Sequence, residues 1–145
     1  MKYTLALLFN KERDKILLIL KNRPVRQAGL YNALGGKVEP NENVVDSIRR
    51  EVREEGNIDI PTRQWEHFAT LHSQRSSYWQ MFIFRAFGDI ELASQGEDQP
   101  LGIFPVNTLP ENIMPNLHWL VPMALHIEKD GVDYFEMYEA FNYGK

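Results

Sequence analysis

The chain opens on two short apolar runs separated by charge. Residues 3–9, with Leu5, Leu7 and Phe9, and residues 15–20, with Ile16, Leu18 and Leu20, predict two strands joined by the polar turn "NKERD". "KNRPVRQAGLYN" reads as a basic loop broken by Pro24 and Gly29. The period then changes. From Asn43 to Gly56, Val45, Ile48 and Val52 fall on one helical face, as in a helix packed on a sheet. Asn43 is placed to cap that helix, and Asp46 three residues on supplies the acidic partner of a capping box. "WEHFATLHS" and "YWQMFIFRAF" predict a hairpin with "QRSS" near its turn. "ASQGEDQPLG" is a loop and "IFPV" a short strand. "MPNLHWLVPMALHI" predicts a second helix that Pro122 should kink or start later, and "DGVDYFEMYEAF" a turn and an edge strand. The order β, β, α, several β, α, β is that of a mixed α/β (α+β) domain rather than a regular βαβ array. No repeat or low-complexity linker divides it, so residues 1–145 read as a single domain.

Composition narrows the function. Hydrophobic content of 43% with 12% aromatic residues excludes a disordered chain, and a net charge of −4 disfavours a duplex nucleic acid partner. Small anions stay in play, because a bound metal can reverse the local field. The chain has no cysteine, which removes disulfides, thiolate zinc sites and cysteine nucleophiles together. The first apolar run is too short for a signal sequence and no segment is long enough to span a bilayer, so a cytoplasmic enzyme without a membrane partner is the expectation.

The chemistry concentrates in "GGKVEPNENVVDSIRREVREEGNI", residues 35–58. On a helix, Glu51, Glu54 and Glu55 are i, i+3 and i+4, so three carboxylates share one face. Such crowding costs roughly 0.2–0.5 kcal/mol per exposed pair. Taken as a bare helix, that face would be a solvated one with ion pairs. Its surroundings point elsewhere. Five residues separate Gly36 from Glu42, seven separate Glu42 from Arg50, and Glu51, Val52, Glu54, Glu55 and Ile58 follow at fixed spacing. This resembles the Nudix box, Gly-x5-Glu-x7-Arg-Glu-aliphatic-x-Glu-Glu-x-Gly-aliphatic. The departure is Asn57, which stands at the last glycine, with Gly56 one place earlier. A residue following a helix there takes a left-handed conformation, which asparagine tolerates best after glycine, so the departure leaves the metal site intact.

The resemblance implies a Nudix fold, a mixed β-sheet sandwiched between helices. It also implies hydrolysis of a nucleoside diphosphate linked to a further group, with Mg²⁺ as cofactor and Mn²⁺ as a substitute. It makes Glu51, Glu54 and Glu55 metal ligands together with the backbone carbonyl of Gly35. Arg50 then orients the glutamates, Glu42 has a secondary role, and Glu54 or Glu51 is the general base. Gly35 and Gly36 let the backbone approach metal and phosphate closely. Glu97 and Asp98 lie where related enzymes add an acidic ligand or base; a polar loop is the alternative. The segments "LYNALGGKVEPNE" and "MPNLHWLVPMAL" look like those of the MutT-like, oxidised-purine triphosphatase branch. There Asn32 matches a base-reading asparagine, while Asn116 and Leu117 stand where an acidic pair would be. The implied partner is a small nucleotide cleaved to a monophosphate and pyrophosphate, and the resemblance leaves a homodimer open.

Tyr31, Phe82 and Trp119 are candidates to stack a base, although aromatic residues in such elements more often belong to the core. Arg23, Arg26 and Lys37 are candidate phosphate contacts, or else a solvated basic loop. His72 and His118 lack metal-ligand spacing and read as structural. The alternative substrates are ADP-ribose, a dinucleoside polyphosphate or another nucleotide derivative. ADP-ribose hydrolases of the family tend to carry a proline soon after the box, and none occurs between Pro61 and Pro100. A non-catalytic nucleotide-binding module is the rival class; such modules usually lose box glutamates that this chain keeps.

Overall fold

The computed structural model of the chain describes residues 1–73, 78–127 and 134–139. Its architecture follows from the first strand, β1 (Lys2–Asn10), in which residues 4–10 are all buried. A strand buried on both faces needs a covered layer on each side of its sheet. Alternation divides its side chains between those layers. Leu5, Leu7 and Phe9 join one core cluster, whose helical part is Leu117, Leu120, Val121 and Ala124. Ala6 and Leu8 join the other, with Ile48 and Val52. These two sets belong to α2 (Leu117–His126) and α1 (Val44–Gly56). The sheet is therefore sandwiched between helices, as the resemblance implies.

β1 runs parallel to β6 (Trp79–Gly88) over its full length. Its other edge is shared in antiparallel fashion, by β4 (Leu34–Lys37) near its start and β2 (Lys15–Leu20) near its end. β2 also pairs with β3 (Tyr31–Asn32) and β7 (Leu101–Pro105). Beyond β6 lie β5 (Glu66–Ser73), antiparallel, and then β8 (Phe135–Glu139), parallel to β5. The sheet order is β3-β2-β1-β6-β5-β8, with β4 joined to β1 and β7 to β2.

The turn after β1 is built by Asn10, whose Oδ1 accepts from the backbone N–H groups of Asp14 and Lys15, both at 3.0 Å. β3 and β4 interrupt what reads as loop in sequence. β4 is "LGGK", and its pair of glycines has little strand preference alone; pairing of Tyr3 with Lys37 and Leu5 with Gly35 sets it. β7 begins two residues before the expected "IFPV". The second helix starts at Leu117, with Pro122 inside it, so the bond Pro122 would donate to the His118 carbonyl is not made. Its C-terminal end is met by Arg85 of β6, fully buried, whose Nη1 donates to the carbonyls of Ala124 (2.6 Å) and Ile127 (2.7 Å). The "QRSS" turn, and the parts of "DGVDYFEMYEAF" flanking residues 134–139, lie outside the described residues. Among the described residues no helix is long and apolar enough to cross a membrane.

Candidate active site

Helix α1 brings the carboxylates into place. The Asn43 side chain accepts from the backbone N–H of Asp46 at 2.8 Å and donates to the Asp46 carboxylate at 2.9 Å, closing the first turn. Burial of Ile48 and Val52 against the sheet fixes the helix's rotation about its axis, and that turns Glu51 and Glu55 toward β4. Glu55 is only 3% exposed, and its Oε1 accepts from the backbone N–H of Gly35 at 2.9 Å. Burial pushes its carboxyl up to about 7, against the Gly35 hydrogen bond that pulls it down. Burial also raises the Glu51 carboxyl.

Sterics require the first glycine of β4, and the second keeps clear of the Glu51 side chain. Gly35 has φ +147°, and a Cβ there would lie 2.1 Å from the Thr4 carbonyl oxygen. A Cβ on Gly36 would lie 2.5 Å from the Glu51 carboxyl group. The first glycine lets the strand pair; the second leaves room for the carboxylate.

Arg50 organises the remaining charges. Its Nε and Nη2 donate to the two Glu42 oxygens at 2.8 and 3.0 Å, a bidentate pair. Nη1 donates to Glu51 Oε1 at 3.0 Å and Glu54 Oε2 at 3.2 Å, and Nη2 also reaches the Lys37 carbonyl at 3.1 Å. Hydrogen bonding to Arg50 holds the Glu42 carboxyl below the usual carboxylate range.

These groups wall a cleft of about 560 Å³. Glu51, Glu54, Glu55 and Glu97 give it four carboxylates, and Lys21, Arg23 and Lys37 add cations. Glu97 arrives on the loop 93–100, which lies against the end of α1. The N–H groups of Ser94 and Gly96 donate to the carbonyls of Gly56 (2.9 Å) and Glu55 (3.0 Å). The far end of the loop is tied to the end of β2. The Asn22 N–H donates to Oε1 of the buried Gln99 at 3.0 Å, and Arg23 Nη1 donates to both Asp98 oxygens at 2.9 and 3.1 Å.

The donor set suits a hard divalent cation. It is all oxygen, includes a buried carboxylate that holds a proton near neutral pH, and lies against a Gly36 cradle that a Cβ would fill. Among the described residues no three acidic or imidazole groups are already gathered to hold an ion. Arg50 itself engages Glu51 and Glu54, and the Glu54 side chain is 47% exposed.

The sequence candidates do not all meet at this cleft. Arg23, Lys37, Arg50, Glu51, Glu54, Glu55 and Glu97 line it, and Gly35 and Gly36 touch its carboxylates. Asp98 turns away, engaged by Arg23 and by the Asn22 side chain at 3.3 Å. Phe82 lies on β6, 5.5 Å ring-to-ring from His67 and 6.0 Å from Lys2 Nζ, outside the cleft lining. Asn32 and Asn116 belong to a neighbouring region. Tyr31 receives an N–H from Met114 at 2.9 Å and donates its own to the Asn112 carbonyl at 2.7 Å, which draws β3 to the approach of α2. Asn32 Oδ1 accepts from Ala33 N–H at 2.8 Å, which leaves its amide NH₂ as a donor. Asn116 Oδ1 is buried and finds no hydrogen-bond partner among the described residues. Leu117 points into the core. Lys21 and Gln99 are cleft residues that the sequence did not single out; Lys21 directly follows the apolar run of β2, which was its one signal.

A family model described as "NUDIX domain" matches residues 2–141. The chain is 38% identical over 129 residues to the oxidized purine nucleoside triphosphate hydrolase of Mus musculus, covering 88% of this chain and 81% of that protein. It is 30% identical over 98 residues to the NAD-capped RNA hydrolase NudC of Chromobacterium violaceum; that match covers 68% of this chain but spans only 37% of the longer relative. Among solved structures, a mutator MutT protein from Bacillus halodurans superposes with a TM-score of 0.71 at 22% identity, over 96% of this chain and 90% of that one, a likeness of fold.

Proposed function

The chain belongs to the Nudix domain family, and from that premise we propose that it is a divalent-metal-dependent pyrophosphohydrolase that cleaves nucleoside triphosphates to the monophosphate and pyrophosphate. The observation that carries this reading is that Glu51, Glu54, Glu55 and Glu97 line one cleft together with Lys21, Arg23 and Lys37. Phosphates need cations, and a metal needs the carboxylates; the cleft offers both.

Bound Mg²⁺, or Mn²⁺ in its place, supplies charge neutralisation on the phosphate oxygens and a more acidic water. Everything else falls to the chain. Arg23 and Lys37 steady the polyphosphate, and Arg50 presents Glu51 and Glu54 at fixed positions. Water attacks one phosphorus, the bridging P–O bond breaks, and pyrophosphate leaves. Glu51 or Glu54 accepts the proton of the attacking water, a contribution typically of about 10²–10⁴-fold. Glu55, deepest and bonded to Gly35, serves as a ligand rather than a base.

For the base we infer a purine read by the amide groups of Asn32, whose NH₂ is left as a donor, and Asn116. Support comes from the likeness to the mouse oxidized purine nucleoside triphosphate hydrolase. Leu117 is apolar and buried, so of the two positions only the amide of Asn116 offers polar groups. A screen of nucleotides with Mg²⁺, with products separated by chromatography, tests the assignment. Release of pyrophosphate and monophosphate from a purine triphosphate supports it; no hydrolysis of any nucleotide with Mg²⁺ or Mn²⁺ refutes it.

A further inference from the structure

Asn57, at the place of the family's last box glycine, does more than end a helix. We propose that it is a positioning residue that holds the loop 93–99 so that Glu97 faces the glutamates of α1, and thereby sets the affinity of the cleft for a divalent cation. The proposal rests on the hydrolase reading of the same cleft.

The backbone does not account for an asparagine. With φ 52° and ψ 33°, Asn57 is in the left-handed region, where glycine is unstrained and serves at least as well. The side chain does account for it. Asn57 Nδ2 donates to Ser94 Oγ at 3.1 Å and to the Gln95 carbonyl at 3.3 Å, contacts that a glycine cannot make. They add to the two backbone bonds from Ser94 and Gly96 that lay the loop on α1. The approach is close enough that a Cβ on Gly96 would sit 2.1 Å from the Glu54 carbonyl oxygen.

Glu97 is the next residue, and Gln95 Nε2 donates to its carbonyl at 2.7 Å. At the far end Gln99 and Asp98 bind Asn22 and Arg23. The loop is thus a strap pinned at both ends, with Glu97 in its span and in the same wall as Glu51, Glu54 and Glu55. The Asn57 pin is exposed, so its loss costs the fold little. A ligand on a loop, however, must be held within roughly 0.5 Å to coordinate well. The effect of Asn57 therefore falls on Glu97 rather than on stability.

The test uses the full chain with four variants: Asn57→Gly, Asn57→Asp, Glu97→Gln and the double variant Asn57→Gly/Glu97→Gln. Asn57→Gly keeps the left-handed backbone and removes the amide. Asn57→Asp keeps size and replaces the donor with a charge facing the Gln95 carbonyl. Binding of Mn²⁺ is followed by electron paramagnetic resonance of the free ion, with melting temperature in chelator and kcat measured alongside. The expected result is a ~5- to 20-fold rise in the Mn²⁺ Kd for both Asn57 variants at little change in melting temperature. The double variant should bind no more weakly than Glu97→Gln alone, because residues acting through one group do not add. Wild-type Mn²⁺ affinity in Asn57→Gly, or losses that multiply in the double variant, would overturn the proposal. If the wild-type chain binds Mn²⁺ but hydrolyses no nucleotide, the hydrolase reading fails while the comparison of variants still decides the role of Asn57. A wild-type chain that binds no Mn²⁺ overturns both.

Discussion

Replacing Glu55 by glutamine should make the metal-free protein more stable, by an amount that depends on pH. Glutamine keeps the oxygen that accepts from Gly35 N–H and removes the charge. The Glu55 carboxyl is raised from its ordinary 4.5 to about 7 because 97% of its surface is withdrawn from water. That span corresponds to about 3 kcal/mol between the two protonation states. The sign follows from proton counting. Between pH 4.5 and 7 the folded chain holds a proton on Glu55 that the unfolded chain has released, so stability from this group falls as pH rises through the window. Below pH 4.5 both states are protonated and no difference remains. In chelator, Glu55→Gln should therefore melt with the wild type near pH 4.5 and roughly 8 °C above it at pH 8, at the few degrees per kcal/mol usual for this size. Adding Mg²⁺ or Mn²⁺ should raise the wild type far more than the variant and close the gap. Thermal melts followed by circular dichroism from pH 4.5 to 8.5, with and without metal, read this directly. A variant less stable than wild type at pH 8 in chelator, or a gap that does not change with pH, would refute the account of a carboxylate held charged at a cost until metal arrives.

The other predictions concern turnover. Glu54→Gln should lower kcat by at least ~100-fold with little change in melting temperature, since its side chain is half exposed and its charge serves the cleft rather than the core; steady-state kinetics at saturating Mg²⁺ checks this, and near-wild-type turnover would remove Glu54 from the machinery. Asn32→Ala and Asn116→Ala should each lower kcat/KM for the best purine triphosphate by roughly 5- to 150-fold while flattening the ranking among bases, because one polar group of the base is left unpaired at about 1–3 kcal/mol. A uniform loss across all nucleotides would assign these residues to the scaffold instead.

Helix α1 was legible in sequence because its signals agree at every level: a capping asparagine, a 3.6-residue apolar period and a left-handed residue after the last turn. The carboxylate face was legible for the same reason, since α-helical geometry alone groups Glu51, Glu54 and Glu55. What escaped depends on distant partners. β4 is a strand because β1 pairs with it, not because two glycines prefer one. Lys21 and Gln99 reach the cleft through the pairing of β2 with β7 and the loop before it. Glu97 and Asp98 are adjacent in sequence, yet the strap sends one to the glutamates and the other to Arg23. Phe82 pairs with Thr4 and Thr70 across the sheet, a register that sets its ring beside His67 and Lys2 rather than over the cleft.

The buried guanidinium of Arg85 bears on how the fold can move. It belongs to the central strand β6 and binds the final carbonyls of α2, while its other arm meets Glu66 at 3.3 Å. Hydrogen bonds from a charged donor are each worth about 1.5–3 kcal/mol, and in the interior no water replaces them. Lifting α2 would break two at once and leave the buried guanidinium short of two acceptors. The helix that Asn116 leads into is therefore held fixed against the sheet. By contrast, Arg23 and Asp98 meet in an exposed ion pair, of a kind that adds little to stability.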